Sequence, residues 1–538
     1  MEDKKELNKE SSKETNVKSE KSKLETWLRD KYNLALFGII TLAVIIRIYL
    51  FSIVKDQAHW WDSLAFGSIA KQITMGLWPN DPFIIHELAL RPPLFSLMWA
   101  FLLKLNISDI GILLILEIIP SILSVYLVFL IVKEFYDKRT ALLSSFIFSV
   151  LWINLFYTMR IMSDIPSLFF SLLAIYFFIK SYENFNTKKF ALAIFFISLA
   201  IMTRYFYGII GAVFLVFVLL KHKHKFLANK QFWIGGIIGV LPIIIFLIFN
   251  LMNYGSLLPA SSLYAQSTEG KPIAIYVLDF ITYDISPQAS TFGSPKPYLG
   301  FSPFFINPFS SNILSSNLMI FFIIGFIIIF IETVLGFDSI LKVKKLESNL
   351  FFLLIFIFSF IFFIFVLRAA EDRYVILPLI SILVMTSSGI FFAYDKIKKY
   401  SKNIAIIFLI LVILTALYSN VSFGNNLIKN KAQSYSQMKE AFLWIKDNTP
   451  KDAVILGDGI DPYVIYYSER KYEVWNITDL QGSVQKADYI VIHAFEHQTQ
   501  ESANYANNNL SSMLTPQKIV FFDQIQQQPA VVIYKVNK

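Results

Sequence analysis

The sequence predicts a polytopic α-helical membrane protein with a small α/β domain at its C-terminal end. Of the 538 residues, 55% are hydrophobic and only 16% are charged, and long apolar stretches recur between short basic runs. From about residue 434 onward the polarity is that of a soluble protein, and apolar runs of strand length follow a helix-like stretch that ends at Asn448. These observations divide the chain into a membrane part and a tail domain.

The net charge of +9 does not indicate a nucleic-acid partner. The Lys and Arg residues lie mostly in short runs between apolar segments rather than on one basic patch, which is the pattern of charges that orient membrane helices. The chain has no cysteine. This composition excludes disulfides, thiolate metal sites and a cysteine nucleophile.

Eleven apolar stretches are candidates for membrane spans. They lie near residues 33–54, 109–132, 141–158, 165–179, 190–202, 207–220, 232–250, 313–337, 349–367, 374–393 and 403–420. The apolar segment 93–105 would reach only about 20 Å as a helix, so we expect it to be re-entrant or to lie on the surface. The shortness of 165–179, 190–202 and 207–220 predicts that the outer end of the bundle is hollow.

The basic runs predict how the chain is oriented. Residues 1–23 are rich in Lys, Glu and Ser and predict a disordered cytoplasmic tail. With that tail inside, five basic runs also fall inside, as the positive-inside rule requires. These runs are 133–139, 180–189, 221–230, 342–345 and 396–402. We therefore expect a multi-pass plasma-membrane protein with its C-terminal domain outside.

This orientation defines three parts of the chain. The disordered tail is followed by a membrane domain, 24–424, with long outer loops at 55–108 and 251–312, and then by an extracytoplasmic domain, 425–538. The strand-like runs of the last part are 453–456, 489–493, 518–522 and 530–534.

Many polar residues fall on the predicted outer face, where their convergence indicates a substrate site. They are Trp60, Trp61, Asp62, His86, Glu87, Arg91, Arg160, Asp164, Arg204, Tyr205, Asp372, Arg373 and Tyr374. An enzyme that uses a sugar on a polyprenyl phosphate needs a carboxylate to deprotonate an acceptor hydroxyl and cations to hold the departing phosphate. Both residue types are present.

The order of these motifs resembles that of a known family. An Asp follows the first span, Arg-Pro-Pro-Leu-Phe opens an outer-loop helix, Ser-Asp-Ile-Pro forms a turn, and Arg-Tyr precedes a late proline-containing span. This order is similar to that of the C-type (GT-C) glycosyltransferases of family 39, which include protein O-mannosyltransferases and aminoarabinose transferases. The resemblance covers roughly residues 33–393 and implies a GT-C arrangement of helices.

The resemblance also implies roles for individual residues. Asp62 matches the family's candidate catalytic base, Arg91 matches the basic residue linked to the donor phosphate, Asp164 matches the second-loop Asp, and Arg373 opens the late motif. Many relatives carry a second acid where this chain has Ser63. That difference leaves no support for a metal role borrowed from relatives.

Alternative interpretations remain for several candidates. Asp56 is the reserve for the base, and Asp164 suits a helix N-terminus as well as catalysis. Arg91, Arg204 and Arg373 can each be ordinary interface anchors at the ends of helices. His59, His86 and Glu87 share a loop, but their spacing matches no strong metal-ligand motif. The interpretation requires no cofactor; a divalent cation is possible but is supported by no motif.

The function expected from these residues is transfer of a sugar from a polyprenyl or dolichyl phosphate to an acceptor hydroxyl, with inversion. Asp62 would be the base, and Arg91, helped by Arg204 and Arg373, would hold the phosphate. The acceptor would be a protein, a lipid or a glycan. Glu117 and Glu332, which lie within spans, instead suggest a transporter of a lipid or solute. A third alternative treats the tail domain as a sensor on a membrane anchor.

Overall fold

The structure is a computed structural model that describes residues 29–76, 87, 91–257, 314–362, 372–495, 498–509, 513–523 and 527–537. In the described residues of its membrane part, the regular elements are all helices. The helices are α1 (Lys31–Val54), α2 (Trp61–Thr74), α3 (Leu94–Lys104), α4 (Asp109–Phe135, with a π-helical turn at Leu114–Ile118), α5 (Lys138–Val150), α6 (Trp152–Thr158), α7 (Asp164–Ile179), α8 (Thr187–Thr203), α9 (Gly208–His222), α10 (Lys230–Tyr254), α11 (Ser316–Leu335), α12 (Lys344–Phe362), α13 (Leu379–Lys398) and α14 (Lys402–Lys431). The 251–312 loop lies mostly outside the described residues.

Among the described residues, eight helical segments are long and apolar enough to cross a membrane, and a bent pair makes nine. The other two of the eleven expected spans form α7, with 16 residues, and α8, with 17, which are shorter than a typical span of about 20 residues. The protein is therefore a multi-pass membrane protein, while the number eleven stays a prediction. Short 3₁₀ turns lengthen α9 to Tyr205–Ala228.

Two expected spans are built differently from the prediction. The stretch 141–158 is not one straight helix, because α5 and α6 meet at an angle of 51° where Leu151 has extended backbone angles. The stretch 374–393 begins later than expected. Its start forms a 3₁₀ turn, Asp372–Ile376, and α13 begins after Pro378. Proline lacks an N–H donor, so it fits the first turn of a helix better than its interior.

The first outer loop contains two packed helices. We did not expect α2, because its sequence mixes small, polar and apolar residues without a long apolar run. The 11-residue helix α3 spans about 16 Å, too short to cross the membrane, in agreement with the prediction for 93–105. Ser96 on α3 donates a hydrogen bond to the backbone oxygen of Phe66 on α2 at 3.0 Å.

Ionic contacts connect the predicted cytoplasmic loops at one end of the bundle. The pairs, with their N–O distances, are Lys138–Asp30 at 2.6 Å, Arg139–Asp395 at 3.4 Å, Lys180–Glu134 at 2.6 Å, Lys221–Glu347 at 2.7 Å and Lys345–Glu332 at 2.6 Å. Each joins the ends of two neighbouring helices. The basic runs thus share one face, as the charge pattern requires.

The tail domain is α/β, as expected. It contains α15 (Ser436–Asn448), β1 (Val454–Leu456), α16 (Asp461–Tyr463) with a following π-helical turn Val464–Ser468, β2 (Lys471–Glu473), α17 (Leu480–Lys486), β3 (Tyr489–His493), α18 (Gln500–Asn509), β4 (Leu514–Phe521) and β5 (Pro529–Val536). The five strands form one sheet in the order β2-β1-β3-β5-β4, with parallel pairs around β1 and antiparallel pairs around β5. The sequence did not reveal β2. The predicted boundary at 424/425 lies within α14, which continues to Lys431.

The tail domain packs directly on α2 through the π-helical turn. The ammonium group of Lys71 lies 2.5 Å from the carboxylate of Glu469 and 2.5 Å from the backbone oxygen of Tyr466. Ser68 donates a hydrogen bond to the backbone oxygen of Pro462 at 2.9 Å. Gly67 leaves room for the Tyr466 ring, since a Cβ atom there would lie 2.7 Å from Cε2 of that ring. The helix in the first outer loop is therefore held from the far end of the chain.

Candidate functional site

Asp62 is the second residue of α2 and lies in its first turn. A carboxylate in this position is stabilised by the N-terminal end of the helix dipole. Its side chain is 27% exposed, so it is neither in bulk water nor fully enclosed. Asp56, the reserve candidate, lies on an exposed part of the preceding turn, where its backbone oxygen accepts a hydrogen bond from Lys439.

Two arginines from distant parts of the chain bind Asp62. Arg91 Nη2 donates to Oδ1 at 3.0 Å, and Arg373 Nη1 donates to Oδ2 at 2.5 Å. Arg91 also binds the carboxylate of Glu87. The structure thus brings together the carboxylate and both cations that the sequence placed on one face. Burial raises the pKa of the Asp62 carboxyl, but the charges and hydrogen bonds of Arg373 and Arg91 outweigh burial and hold the pKa well below its usual range.

A second ion pair joins Asp164 and Arg204. Arg204 Nη1 donates to Asp164 Oδ1 at 2.7 Å, and its Nε donates to Ser163 Oγ at 2.9 Å. Asp164 begins α7 and is only 1% exposed, while Arg204 directly follows α8. The pair fastens the ends of two neighbouring helices, which gives both residues a structural role whatever else they do.

The turn between α6 and α7 is fixed by two polar contacts. Glu117 in the π-helical turn of α4 accepts a hydrogen bond from the backbone N–H of Met162 at 2.8 Å. Gln57 donates to the backbone oxygen of Met159. Arg160, between these anchors, is 5% exposed, and its guanidinium carbon lies 3.1 Å from the centre of the Trp60 ring and 4.5 Å from that of Phe156.

The two intramembrane acids that suggested a transporter lie in separate networks. Glu117 holds the turn just described, whereas Glu332 contacts Lys345 at 2.6 Å and Asn349 at 2.9 Å on the basic face. The two carboxylates therefore do not form a shared ion site.

The remaining candidates lie around these groups. Tyr374 stacks edge-on against Phe206 with 5.8 Å between ring centres, and Tyr205 lies 6.3 Å from the ring of Phe246. Trp61 begins α2, and Asp372 begins the 3₁₀ turn that carries Arg373. His86 lies outside the described residues.

His59 takes part in a chain of hydrogen bonds that reaches the tail domain. Its Nε2 lies 3.0 Å from Asp109 Oδ2, and its Nδ1 lies 3.2 Å from Ser63 Oγ. Tyr466 of the tail domain donates to Asp109 Oδ1 at 2.6 Å. Within the part of the chain that the structure describes, no group of three or more His, Asp or Glu side chains could hold a metal ion.

Sequence reasoning missed Asp109 and Tyr466 as parts of this region. The sequence does contain a signal that a helix begins at Asp109. Ser108, directly before it, is a typical N-cap residue and accepts a hydrogen bond from the backbone N–H of Gly111. Tyr466 had no comparable signal, because only the packing of the tail domain on α2 brings its hydroxyl to Asp109.

Comparison with known proteins agrees with this architecture. Residues 90–249 match the family model described as dolichyl-phosphate-mannose-protein mannosyltransferase. In solved structures, the chain resembles the oligosaccharyltransferase of Archaeoglobus fulgidus in its apo form, with a TM-score of 0.61 and 13% identity over 87% of this chain and 70% of that one. It also resembles the same organism's AglB in complex with an inhibitory peptide and a dolichol-phosphate, with a TM-score of 0.59 and 14% identity over the same shares.

A third similar structure covers nearly the whole length of both chains. It is ArnT from Cupriavidus metallidurans bound to undecaprenyl phosphate, with a TM-score of 0.56 and 11% identity over 92% of this chain and 98% of that one. No curated protein matches the chain in sequence. At these identities the solved structures establish the fold, and the family match adds sequence support over residues 90–249.

Proposed function

We propose that this chain, which has the fold of GT-C glycosyltransferases, transfers a sugar from a polyprenyl phosphate to an acceptor hydroxyl, with Asp62 as the catalytic base. One observation carries the proposal: a single carboxylate at a helix N-terminus lies within hydrogen-bond distance of Arg91 and Arg373. A base beside two cations suits a reaction in which a hydroxyl loses its proton while a phosphate departs.

The ligands of the similar structures support the donor class. ArnT is described with undecaprenyl phosphate, and AglB with a dolichol-phosphate and an inhibitory peptide. We propose that this chain likewise takes a sugar on a polyprenyl or dolichyl phosphate. The acceptor hydroxyl belongs to a protein, a lipid or a glycan, and the tail domain together with the 251–312 loop selects it.

The proposed reaction is a single displacement. Asp62 takes the proton of the acceptor hydroxyl while that oxygen forms a bond to the anomeric carbon of the sugar. The bond from this carbon to the phosphate oxygen breaks, and its electron pair leaves with the polyprenyl phosphate. One displacement inverts the anomeric configuration. Arg91 and Arg373, helped by Arg204, stabilise the negative charge that develops on the phosphate.

Arrival of the donor would also activate the base. The phosphate competes with Asp62 for the guanidinium groups of Arg91 and Arg373, because both anions are attracted to the same two cations. Once these charges turn toward the phosphate, burial again raises the pKa of the Asp62 carboxyl, so its affinity for the hydroxyl proton increases. No metal or other cofactor is needed in this scheme, since the arginines supply the positive charge.

We further propose that the site faces the outside of the plasma membrane. The basic runs would then lie in the cytoplasm, together with the N-terminus. A polyprenyl-linked donor fits this orientation, because its lipid keeps it at the membrane surface, whereas a nucleotide sugar would meet the cytoplasmic face.

The base assignment is tested by Asp62→Asn with Asp56→Asn as the matched control. Purified full-length protein is incubated with radiolabelled polyprenyl-phosphate sugar and membrane acceptors. We expect Asp62→Asn to slow labelling by about 10²- to 10⁴-fold, the usual contribution of a positioned base, and Asp56→Asn to retain it. Normal labelling by a folded Asp62→Asn protein would exclude Asp62 as the base, and the absence of labelling by wild type with every donor tried would contradict the proposed function.

A further inference from the structure

Trp60, directly before the helix that carries Asp62, is approached by two cations. The guanidinium carbon of Arg160 lies 3.1 Å from the ring centre, and the ammonium nitrogen of Lys431 lies 5.9 Å from it. Lys431 is the last residue of α14, where the chain leaves the membrane part for the tail domain. The ring of Tyr435, four residues later, lies 6.5 Å from Trp60. We call Trp60, Arg160, Lys431 and Tyr435 the Trp60 cluster. It lies between the helix of the proposed base and the tail domain.

Arg160 differs from the other arginines around the proposed base. Arg91 and Arg373 bind Asp62, and Arg204 binds Asp164. The guanidinium group of Arg160 has no ion pair or hydrogen bond to the part of the chain that the structure describes, although the residue is only 5% exposed. Burying a cation without a counter-charge is costly, and stacking on Trp60 and Phe156 offsets only part of that cost.

Two N–H groups of the cluster are buried and have no acceptor among the residues that the structure describes. They are Nε of Arg160 and Nε1 of Trp60. Buried donors in folded proteins nearly always have a partner, so a pair of such donors on stacked side chains indicates a missing acceptor. Donors beside positive charge are the chemistry that binds an oxyanion, and a guanidinium group can bind phosphate or carboxylate through two parallel hydrogen bonds.

We propose that Arg160, Trp60 and Lys431 bind an anionic group, a phosphate or a carboxylate, of a substrate. This site deepens the proposed function and rests on it, because the anion belongs to a substrate only if the protein transfers sugar. This anion site is distinct from the pair Arg91 and Arg373, which both bind Asp62. Two sources can supply the anion: the phosphate of the lipid-linked donor, or an acidic group on the acceptor.

The test measures anion binding by the full-length protein in detergent, without any transfer reaction. The probes are inorganic phosphate, a polyprenyl phosphate and, as the uncharged control, the corresponding polyprenol. Binding is followed as a ligand-dependent rise in the thermal unfolding midpoint. We expect wild type to bind inorganic phosphate and Arg160→Gln to bind it about 10- to 100-fold more weakly, the effect of losing hydrogen bonds from a charged group.

Three further variants separate binding from folding. Arg160→Lys keeps the charge and should restore part of the affinity, while Trp60→Phe keeps the stacked ring but removes the N–H and should weaken binding several-fold. Lys451→Gln, which removes an exposed cation of the tail domain, should bind like wild type. Without ligand, Arg160→Gln should unfold at the same temperature as wild type or higher, because it removes a buried unpaired charge.

The outcomes assign the source of the anion. If Arg160→Gln weakens inorganic phosphate and polyprenyl phosphate alike, the site binds the donor; if it weakens only inorganic phosphate, the site binds the acceptor. Equal phosphate binding by wild type and Arg160→Gln, or no binding by wild type, would overturn the proposal. These results do not depend on sugar transfer, so they are distinguishable from a failure of the Asp62→Asn experiment.

Discussion

At the scale of single residues, the state of Asp62 is determined by its two arginines. Each carboxylate oxygen has its own guanidinium partner, and the pKa of the carboxyl lies below its ordinary value although burial alone would raise it. A folded-state pKa below the unfolded one means that these ion pairs stabilise the fold above about pH 4 and lose that contribution as the pH falls further. Asp62 is therefore ionised at neutral pH.

This dependence predicts the pH profile of arginine variants. In Arg91→Gln or Arg373→Gln, one charge that opposes burial is removed, so the pKa of Asp62 rises and a larger fraction is protonated in mildly acidic solution. We expect the acidic limb of kcat/KM to move upward by about one pH unit or more. The measurement is the rate of sugar transfer from the labelled donor between pH 4 and pH 8.

Arg139→Gln is the matched control for this profile. Arg139 pairs with an acid, Asp395, as the site arginines do, but it lies on the basic face. Its loss should leave the acidic limb of kcat/KM where wild type has it. If all three variants share the wild-type profile, the acidic limb does not report Asp62.

Sequence reasoning predicted that Asp62 and two of the arginines lie close together, while their roles in catalysis stay a prediction. It placed Asp62, Arg91 and Arg373 together because topology alone brings loops of one face to one end of the bundle. It could not show which arginine binds which carboxylate, since Asp62 and Arg373 are 311 positions apart. It also named Arg160 only as one polar residue of the predicted substrate site, because the sequence could not show that its guanidinium group has no polar partner among the described residues.

At the scale of secondary-structure elements, α2 is held by a close fit against the tail domain. The sequence did not indicate this helix, since its short mixed segment has neither the length of a span nor a clear amphipathic repeat. Gly67 lies at the contact, where a Cβ atom would meet Tyr466 at 2.7 Å and Trp99 at 3.0 Å. Both neighbours are large rings, which cannot move aside without disturbing their own contacts.

We therefore expect Gly67→Ala to loosen the docking of the tail domain. Overpacking a well-filled contact costs about 1 to 3 kcal/mol, so the variant should unfold at a lower temperature and transfer sugar more slowly. The measurements are the thermal unfolding midpoint and the rate of transfer from the labelled donor.

Gly38→Ala provides the control for the general effect of adding a methyl group to a helix. Gly38 lies within α1, and a Cβ atom there would have no neighbour within 4 Å. Since alanine favours helices more than glycine does, this variant should be as stable as wild type or more stable. Equal stability of Gly67→Ala and wild type would show that the contact with Tyr466 is not tight.

At the scale of the whole molecule, the basic runs predicted which loops share one end of the bundle. The apolar stretches predicted the number of membrane spans less well. The basic runs do lie at one end, as ion pairs such as Lys180–Glu134 and Lys221–Glu347 show. The number of spans was harder to predict, since α7 and α8 are shorter than ordinary spans and the stretch 141–158 is bent at Leu151. Composition determines which segments are apolar, while packing determines how each one runs.

The proposed orientation can be mapped cleanly because the chain contains no native cysteine. A single cysteine at Lys451, on the tail domain, should react with a membrane-impermeant maleimide on intact cells. A single cysteine at Lys225, on the basic face, should react only after the membrane is permeabilised. The reverse pattern would place the proposed site in the cytoplasm and remove the argument for an outer-face donor.

The docking of the tail domain also has a consequence for how the protein is made. The backbone N–H of His59 bonds the hydroxyl of Tyr467, which is 408 positions later in the chain. At the usual rate of synthesis, the partner emerges on the order of 20 to 80 s after His59 does. During that interval α2 packs on α3 but lacks the contacts that the tail domain provides. A protein truncated before residue 464 would contain every membrane helix and both arginines, yet the helix that bears Asp62 would have lost its contacts with the π-helical turn of the tail domain.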